Sequence, residues 1–196
     1  MGVLLGPIRA LKVVNDLLLR AGRALAVIAL AIMVAVILAQ VFFRYVLNSA
    51  LPWPDEAARF MMLWMTGLIA PMAYRRGGFV AIDMLERALP RLAGAILSLI
   101  LLMLSLAVLV FAAQIGWSEV TGFGGSFATA SLWVPTSLGF DEWFRVPRSW
   151  MMASLLVGVW LLILVNVELM LREIARLLGA GDALPELMQI DLPEAE

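Results

Sequence analysis

Long runs of uncharged, apolar residues constrain this chain more than any other feature. Four such runs stand between charged residues, at positions 24–43, 60–74, 92–118 and 149–167. About 20 helical residues cross the hydrocarbon core of a bilayer, which is about 30 Å thick. The second run reaches that length only if its helix starts near Pro54 and Arg59 extends its side chain to the membrane surface. The pattern predicts an all-α integral membrane protein with four transmembrane helices, at about residues 24–46, 54–74, 91–118 and 148–168.

Composition supports this interpretation and excludes several kinds of chemistry. Hydrophobic residues make up 63% of the chain, which contains neither cysteine nor histidine. The absence of both residue types excludes disulfides, Cys/His zinc sites and imidazole acid–base catalysis. The net charge of −1 leaves no basic surplus to neutralise nucleic-acid phosphates. We therefore expect neither an enzyme nor a nucleic-acid-binding protein, and no cofactor on this chain.

The segments around the spans predict further elements. Residues 1–23 and residues 80–89 each place apolar side chains near helical spacing, which predicts amphipathic interfacial helices at the N terminus and in the loop after the second span. The apolar stripe of the first segment consists of Leu4, Ile8, Leu11, Val14, Leu18 and Leu25. The four-span domain covers residues 24–178, because a Glu168–Arg172 pair at i,i+4 extends the last helix until Gly179. Residues 179–196 are predicted to be an acidic cytoplasmic tail.

Basic residues are distributed unequally between the two sides of the predicted bundle. Ten lie in the N-terminal segment, the loop between spans two and three and the C-terminal segment, whereas four lie on the other side. The positive-inside rule therefore places both termini in the cytoplasm. The ten are Arg9, Lys12, Arg20, Arg23, Arg75, Arg76, Arg87, Arg91, Arg172 and Arg176, and the four are Arg44, Arg59, Arg145 and Arg148.

Two carboxylates, Asp55 and Glu56, stand at the start of the second predicted span, in LPWPDEAARFMMLW (residues 51–64). Pro54 suits the first position of a helix, and carboxylates in the first turn complement the positive end of the helix dipole. Helix-start chemistry therefore explains both acids without catalysis. Arg44, at the end of the first span, is expected to reach one of them and tie the two helices together.

The external segment, residues 119–148, is rich in Gly, Ser and Thr and carries several tryptophans. Its glycines predict flexible or tightly turning backbone. Two interpretations stay open for this segment, a surface for a partner protein or a loop in the lipid interface. The residues expected to contact a partner or lipid, here and at the end of span three, are Gln114, Trp117, Trp133 and Trp143. Within the second span, Gly67 and Pro71 are interpreted as packing positions rather than as a hinge.

The stretches RYVLNSALPWPDEAARFMMLW (residues 44–64) and AYRRGGFVAIDML (residues 73–85) together resemble the small membrane subunit of tripartite ATP-independent periplasmic (TRAP) transporters. In that family pattern, an Arg-Tyr pair ends the first span, a Trp precedes a Glu by three residues, and a basic-Gly pair leads to an Asp. The residues that match it are Arg44, Tyr45, Asn48, Trp53, Glu56, Trp64, Arg76, Gly77, Gly78 and Asp83.

The resemblance implies a small scaffold subunit in the inner membrane of a bacterium or archaeon, surrounded by membrane lipids. A large membrane subunit would carry the transport pathway and the sodium sites, and a periplasmic substrate-binding protein would deliver an organic acid. The residues implied in the periplasmic connection or in a partner interface are Arg44, Tyr45, Asn48, Trp53, Asp55, Glu56, Arg59 and Trp64. Those implied in the cytoplasmic turn are Arg75, Arg76, Gly77, Gly78 and Asp83. The alternative is an accessory four-span subunit of another tripartite carboxylate transporter.

Overall fold

The structure is a computed structural model that describes residues 2–76, 90–135, 143–179 and 184. Its helices are α1 (Gly2–Tyr45), α2 (Pro54–Arg75), α3 (Arg91–Thr121) and α4 (Arg148–Leu177). A 3-10 turn (Phe123–Ser126) and two strands, β1 (Ala128–Pro135) and β2 (Trp143–Pro147), connect α3 to α4. The predicted amphipathic helix at residues 80–89 and nearly all of the acidic tail lie outside the described residues.

The helices pack side by side, with α2 between α1 and α4 and with α3 on another side of α4. α1 also contacts α4, whereas large apolar side chains cover much of the outer surfaces of α1 and α3. Examples are Leu38, Leu104 and Phe111, which are each more than 60% exposed. Contiguous apolar surface of this kind is typical of helices that face lipid or other membrane helices.

Three helical segments are long and apolar enough to cross a bilayer by length and composition, namely Gly6–Tyr45, Leu92–Thr121 and Arg148–Leu177. The predicted helical membrane architecture therefore fits the structure. α2 has 22 residues but carries Asp55, Glu56 and Arg59 near its start and Arg75 at its end, which lowers its mean hydropathy. The fourth span stays a prediction.

α1 continues without a break through Arg23, where the sequence suggests a division between an amphipathic segment and the first span. Its 44 residues correspond to about 66 Å of helix, roughly twice the thickness of the hydrocarbon core. The residues buried where α1 meets α2 and α4 include Ile8, Asn15, Leu19 and Ala26. Ile8 therefore packs inside the bundle rather than with the predicted membrane-facing stripe, because the buried side of α1 continues toward its N terminus beyond the end of α2.

α2 and α4 approach each other closely at Gly67 and Gly158. A Cβ atom added at Gly67 would collide with the carbonyl oxygen of Ser154, and one added at Gly158 would lie 2.7 Å from the carbonyl oxygen of Gly67. Only glycine allows the two backbones to come this close, as is common where membrane helices cross. Gly67 and Pro71 are both buried, which confirms their interpretation as packing positions.

Within residues 119–148, which the sequence predicts to be external, β1 and β2 form a β-hairpin that the sequence does not predict. β1 and β2 are antiparallel, with Ala128 opposite Pro147 and Trp133 opposite Arg145. β1 advances by more residues than β2 between these two pairs, so residues 129–132 form a bulge in β1. A bulge leaves backbone groups outside the regular ladder, and these groups bind side chains described below.

Candidate partner-binding hairpin and buried ionic cluster

The start of α2 has the arrangement predicted from its sequence. Pro54 occupies the first turn and is buried, and Asp55 and Glu56 follow it in the same turn. Trp53 stands at the N-cap position and is 39% exposed. The two carboxylates therefore lie where the helix dipole favours negative charge, but each also binds a partner elsewhere in the chain.

The carboxylate of Glu56 binds the bulge of β1. The amide nitrogen of Ala130 donates to Oε1 at 2.8 Å, and both the amide nitrogen and the hydroxyl of Ser131 donate to Oε2, the hydroxyl at 2.8 Å. Because the bulge releases these N–H groups from pairing with β2, the carboxylate satisfies donors that would otherwise need water. Glu56 thus fastens the β-hairpin to the first turn of α2, which goes beyond the helix-start chemistry inferred from the sequence. We call these contacts of Glu56 with Ala130 and Ser131 the clamp.

Arg145 on β2 binds the carbonyl groups of the same bulge. Its Nε donates to the carbonyl oxygen of Thr129 at 2.6 Å and its Nη2 to that of Ala130 at 2.8 Å. Its guanidinium carbon also lies 5.5 Å from the ring centroid of Trp133, within the range of a cation–π contact. Glu56 and Arg145 therefore bind opposite polar groups of one irregular segment, and together they define its shape.

Asp55 connects α2 to α1 rather than to the hairpin. Its Oδ1 accepts a hydrogen bond from Nε2 of Gln40 at 3.0 Å. Arg44, predicted to reach Asp55 or Glu56, forms no ion pair among the described residues. That expectation is wrong because Gln40 and the bulge already bind the two acids.

The remaining residues predicted for the periplasmic connection lie at the end of α1, in the turn that follows it and on α2. Asn48 has a φ of 49°, a left-handed conformation that asparagine tolerates better than most residues. The amide of Ser49 donates to the carbonyl oxygen of Phe43 at 3.0 Å, which closes the turn after α1. Tyr45 is 74% exposed and Arg59 is exposed. Trp64 is partly buried, and its indole N–H has no partner among the described residues.

The residues predicted to contact a partner or lipid are all on the surface. Trp117, Trp133 and Trp143 are between 50% and 61% exposed, and Gln114 is exposed on α3. The ring of Phe144 packs against Trp150 at a centroid distance of 6.0 Å. The β-hairpin thus presents an aromatic surface next to the first turn of α4, and either predicted use of that surface stays a prediction.

A buried ionic cluster joins three helices at the opposite end of α2. Glu168 of α4 is fully buried, and its Oε1 accepts hydrogen bonds at 2.8 Å from Arg75 of α2 and from Arg172 of α4. Its Oε2 accepts a hydrogen bond at 2.7 Å from Asn15 of α1. Arg75 also pairs with Asp16 of α1. The cluster contains two carboxylates and two guanidinium groups, so its formal charge is balanced.

Burial makes this cluster sensitive to the loss of any member. The side chains of Arg75 and Arg172 are only 5% and 6% exposed, and separating a buried charge from its partner is strongly unfavourable. The structure confirms the predicted Glu168–Arg172 pair and places Gly179, with a φ of 78°, just after the end of α4.

The residues predicted for the cytoplasmic turn separate into two groups. Arg75 is buried in the ionic cluster, whereas Arg76 is exposed; Gly77, Gly78 and Asp83 lie outside the described residues.

Asn15, Asp16 and Ser131 are polar contact residues that the sequence interpretation missed. The sequence does contain a feature that could have identified Asn15 and Asp16 as contact residues. Asn15 is a polar residue among apolar ones, and Asp16 is an acidic residue among the basic residues of this segment.

We expect Glu56→Gln to loosen the β-hairpin without unfolding the bundle, because a neutral amide binds the two N–H groups of the bulge more weakly than a carboxylate does. Hydrogen exchange of residues 128–132 should accelerate about tenfold, corresponding to roughly 1.4 kcal/mol of local stability. The matched control is Asp55→Asn, which also removes a carboxylate from the first turn of α2 but contacts Gln40 rather than the bulge, and should leave hairpin exchange unchanged. Equal acceleration in both variants would contradict the clamp.

Comparison with known proteins gives one family. The family model described as "Tripartite ATP-independent periplasmic transporters, DctQ component" matches residues 33–176, which is well over half of the chain. The matched range includes the clamp at Glu56 and the three members of the ionic cluster on α2 and α4. No curated protein matches the chain.

Proposed function

The chain belongs to the DctQ component family of TRAP transporters, and from this premise we propose that it is their small scaffold subunit. In this role it supports a large membrane subunit that carries out sodium-coupled, binding-protein-dependent uptake of an organic acid. The partners are therefore the large subunit, a periplasmic substrate-binding protein and membrane lipids. The family consists of transporter components and is not a family of enzymes.

The ionic cluster is the observation that most supports a scaffold role. Glu168 is a fully buried carboxylate, and its oxygens are engaged by Asn15, Arg75 and Arg172. A carboxylate in a transport pathway must exchange partners as its ion passes, whereas this one joins three helices of its own chain. We therefore assign the sodium sites and the substrate path to the large subunit.

Two features support α2 as a fourth transmembrane span. Twenty residues separate Asp55 from Arg75, which corresponds to about 30 Å, the thickness of the hydrocarbon core. α2 also packs between α1 and α4, two helices whose length and composition suit a membrane. We place the clamp of Glu56 at the periplasmic surface of the inner membrane and the ionic cluster at the cytoplasmic surface, with both termini in the cytoplasm.

The cysteine-free sequence makes this orientation directly testable. In intact cells, a membrane-impermeant maleimide should label Ser49→Cys, in the turn after α1, because this side faces the periplasm. It should label Gly6→Cys only after the cells are permeabilised; Gly6 is an exposed position with no atom within 4 Å of an added Cβ. Labelling of Gly6→Cys in intact cells would contradict the proposed orientation.

The function is tested by uptake into proteoliposomes. The complete system, with the chain, its large subunit and the binding protein, should accumulate an organic acid in response to a sodium gradient. Omission of this chain should reduce uptake to background. Sodium-coupled flux through this chain alone would contradict the scaffold role, and full uptake without it would show that the large subunit needs no scaffold.

The alternative, an accessory subunit of another tripartite carboxylate transporter, has less support. The family match extends through α2, the β-hairpin and most of α4, so it does not depend on the short motif around Trp53 and Glu56. Genes for a larger membrane protein and for a secreted binding protein beside this one would support the TRAP assignment further.

A further inference from the structure

The N-terminal half of α1 carries its charges on one side. At about 100° per residue, five charged residues fall within a sector of about 80°: Arg9, Lys12, Asp16, Arg20 and Arg23. We call the four basic members of this group the cationic stripe. The side that packs against α2 and α4, which includes Asn15 and Leu19, borders the stripe on one edge. Exposed apolar side chains, among them Val13 and Leu17 at 66% and 68% exposure, lie on the remaining side.

Pairing within the chain leaves most of this charge unbalanced. Asp16 is the acid of this sector, and it pairs with Arg75 in the ionic cluster. Lys12 lies 3.9 Å from Asp16, whereas Arg9, Arg20 and Arg23 are exposed and have no ion pair with any residue that the structure describes. Three of the four members of the stripe therefore form a positively charged surface without a counterion among the described residues.

The stripe also extends into the proposed membrane region. A Cβ atom added at Gly22 would lie 3.3 Å from the carbonyl oxygen of Leu68, whereas Asp16 contacts Arg75 at the end of α2. Leu68 precedes Arg75 by seven residues of α2, which is about 10 Å along the helix axis. Arg23, next to Gly22, therefore lies about 10 Å from the ionic cluster, on its periplasmic side in the proposed orientation. An arginine at this depth is unfavourable next to hydrocarbon unless an anion reaches it.

Helix geometry indicates where that anion would lie. Cα–Cβ bonds in an α-helix tilt toward its N terminus, which is the cytoplasmic end of α1 in the proposed orientation. The long side chains of Arg20 and Arg23 can therefore extend toward the inner headgroup layer while their methylene groups stay in apolar surroundings. Exposed apolar side chains beyond Arg23, such as Val27 and Ile28 at 59% and 55% exposure, suit acyl chains. Charge and apolar surface thus both match a phospholipid.

We propose that the cationic stripe of α1 binds the phosphodiester headgroups of anionic phospholipids in the inner leaflet. This inference rests on the proposed orientation of the chain. The Asp16–Arg75 pair fixes the rotation of α1 against α2, and it keeps the acid of the sector engaged within the protein. The stripe therefore faces the headgroups with positive charge along about 20 Å of helix.

The test uses the full chain purified with its large subunit. After equilibration with equal amounts of phosphatidylglycerol and phosphatidylcholine, native mass spectrometry should detect preferential retention of phosphatidylglycerol. The variant Arg9→Gln/Arg20→Gln/Arg23→Gln should lose this preference by at least about tenfold, since each basic residue near an anionic surface contributes severalfold to binding. The control Arg44→Gln/Arg59→Gln/Arg148→Gln removes the same charge on the other side of the membrane and should keep the preference. Unchanged preference in the stripe variant would overturn the proposal.

A second measurement leaves every arginine in place. Val27 is 59% exposed and falls on the side of the stripe just beyond Arg23. A nitroxide attached to Val27→Cys should be accessible to oxygen but shielded from a water-soluble nickel chelate, as expected for a lipid-facing site. Shielding from both reagents would mean that a protein surface covers this side of α1, and would overturn the proposal.

The acidic tail is the competing occupant within the chain, because residues 180–196 contain five acids. Their deletion should leave the retention of phosphatidylglycerol unchanged. An increase would assign the stripe to the tail instead. Coelution with the large subunit is measured separately for every variant. Loss of the complex counts against the scaffold function. Loss of lipid preference is judged only in complexes that remain assembled.

Discussion

Glu168→Gln is expected to lower the free energy of unfolding by about 3–5 kcal/mol, the cost of leaving buried charges without their partner. The carboxylate is fully buried and accepts hydrogen bonds from Asn15, Arg75 and Arg172. Glutamine preserves the shape of the side chain but removes the carboxylate that pairs with the buried guanidinium groups of Arg75 and Arg172. Unfolding of the purified chain in mixed micelles, followed by helical circular dichroism, measures the change.

Two further variants identify the cause of this destabilisation. Glu119→Gln makes the same substitution at an exposed position of α3 and should change the free energy of unfolding by no more than about 0.5 kcal/mol. The double variant Glu168→Gln/Arg172→Gln removes one charge of each sign, so its loss should be smaller than the sum of the two single losses. Additive losses would contradict an electrostatic origin.

Gly158→Ala is expected to destabilise the crossing of α2 and α4 by about 3 kcal/mol, at the upper end for overpacking. The added methyl group would lie 2.7 Å from the carbonyl oxygen and 2.8 Å from the Cα atom of Gly67. Both are backbone atoms, so the contact can be relieved only if the helices move apart. The thermal unfolding of the purified chain should therefore shift to lower temperature, although alanine favours a helix over glycine by about 1 kcal/mol.

Gly116→Ala is the matched control for this prediction. Gly116 also stands in a helix that packs against α4, but the atom nearest to an added Cβ is Cδ1 of Leu156, at 3.2 Å. A leucine side chain can rotate away, so the helix preference of alanine should offset most of the crowding. If Gly158→Ala and Gly116→Ala shifted unfolding equally, the effect would come from helix preference rather than from the backbone contact.

The helices were predictable from the sequence because their cause is local. Uncharged runs and the charges that bound them determine where a helix can cross a bilayer, and α3 and α4 follow this rule closely. The length of α1 was not predictable in the same way. The sequence predicts helix on both sides of Arg23 but as two separate elements, whereas the structure has one continuous helix. Burial of Ile8 and the contact of Asn15 with Glu168 hold its N-terminal part in the bundle, and neither is visible in the local pattern.

The β-hairpin could not be inferred from residue patterns. Its bulge interrupts the alternation of side chains that identifies a strand, and the glycines before it indicate turns. The clamp of Glu56 could not be predicted from the sequence either, because 74 residues separate Glu56 from Ala130. One part of the ionic cluster could be predicted from the sequence. The Glu168–Arg172 pair follows from i,i+4 spacing, but Asn15 is 153 residues from Glu168, and only the folded bundle brings them together.

The positions of these contacts along the chain have a consequence for synthesis. Glu56 leaves the ribosome well before the bulge that receives its carboxylate, and Asn15 and Arg75 leave it well before Glu168. α1 and α2 are therefore synthesised with polar groups whose partners have not yet been made. The first two helices can pair through Asp16 and Arg75, but the hydrogen bonds to Glu168 form only after α4 has been inserted. A nascent chain that stops before α4 would thus lack the contacts of Asn15 and Arg75 with Glu168, so its first two helices would be joined less firmly than in the complete bundle.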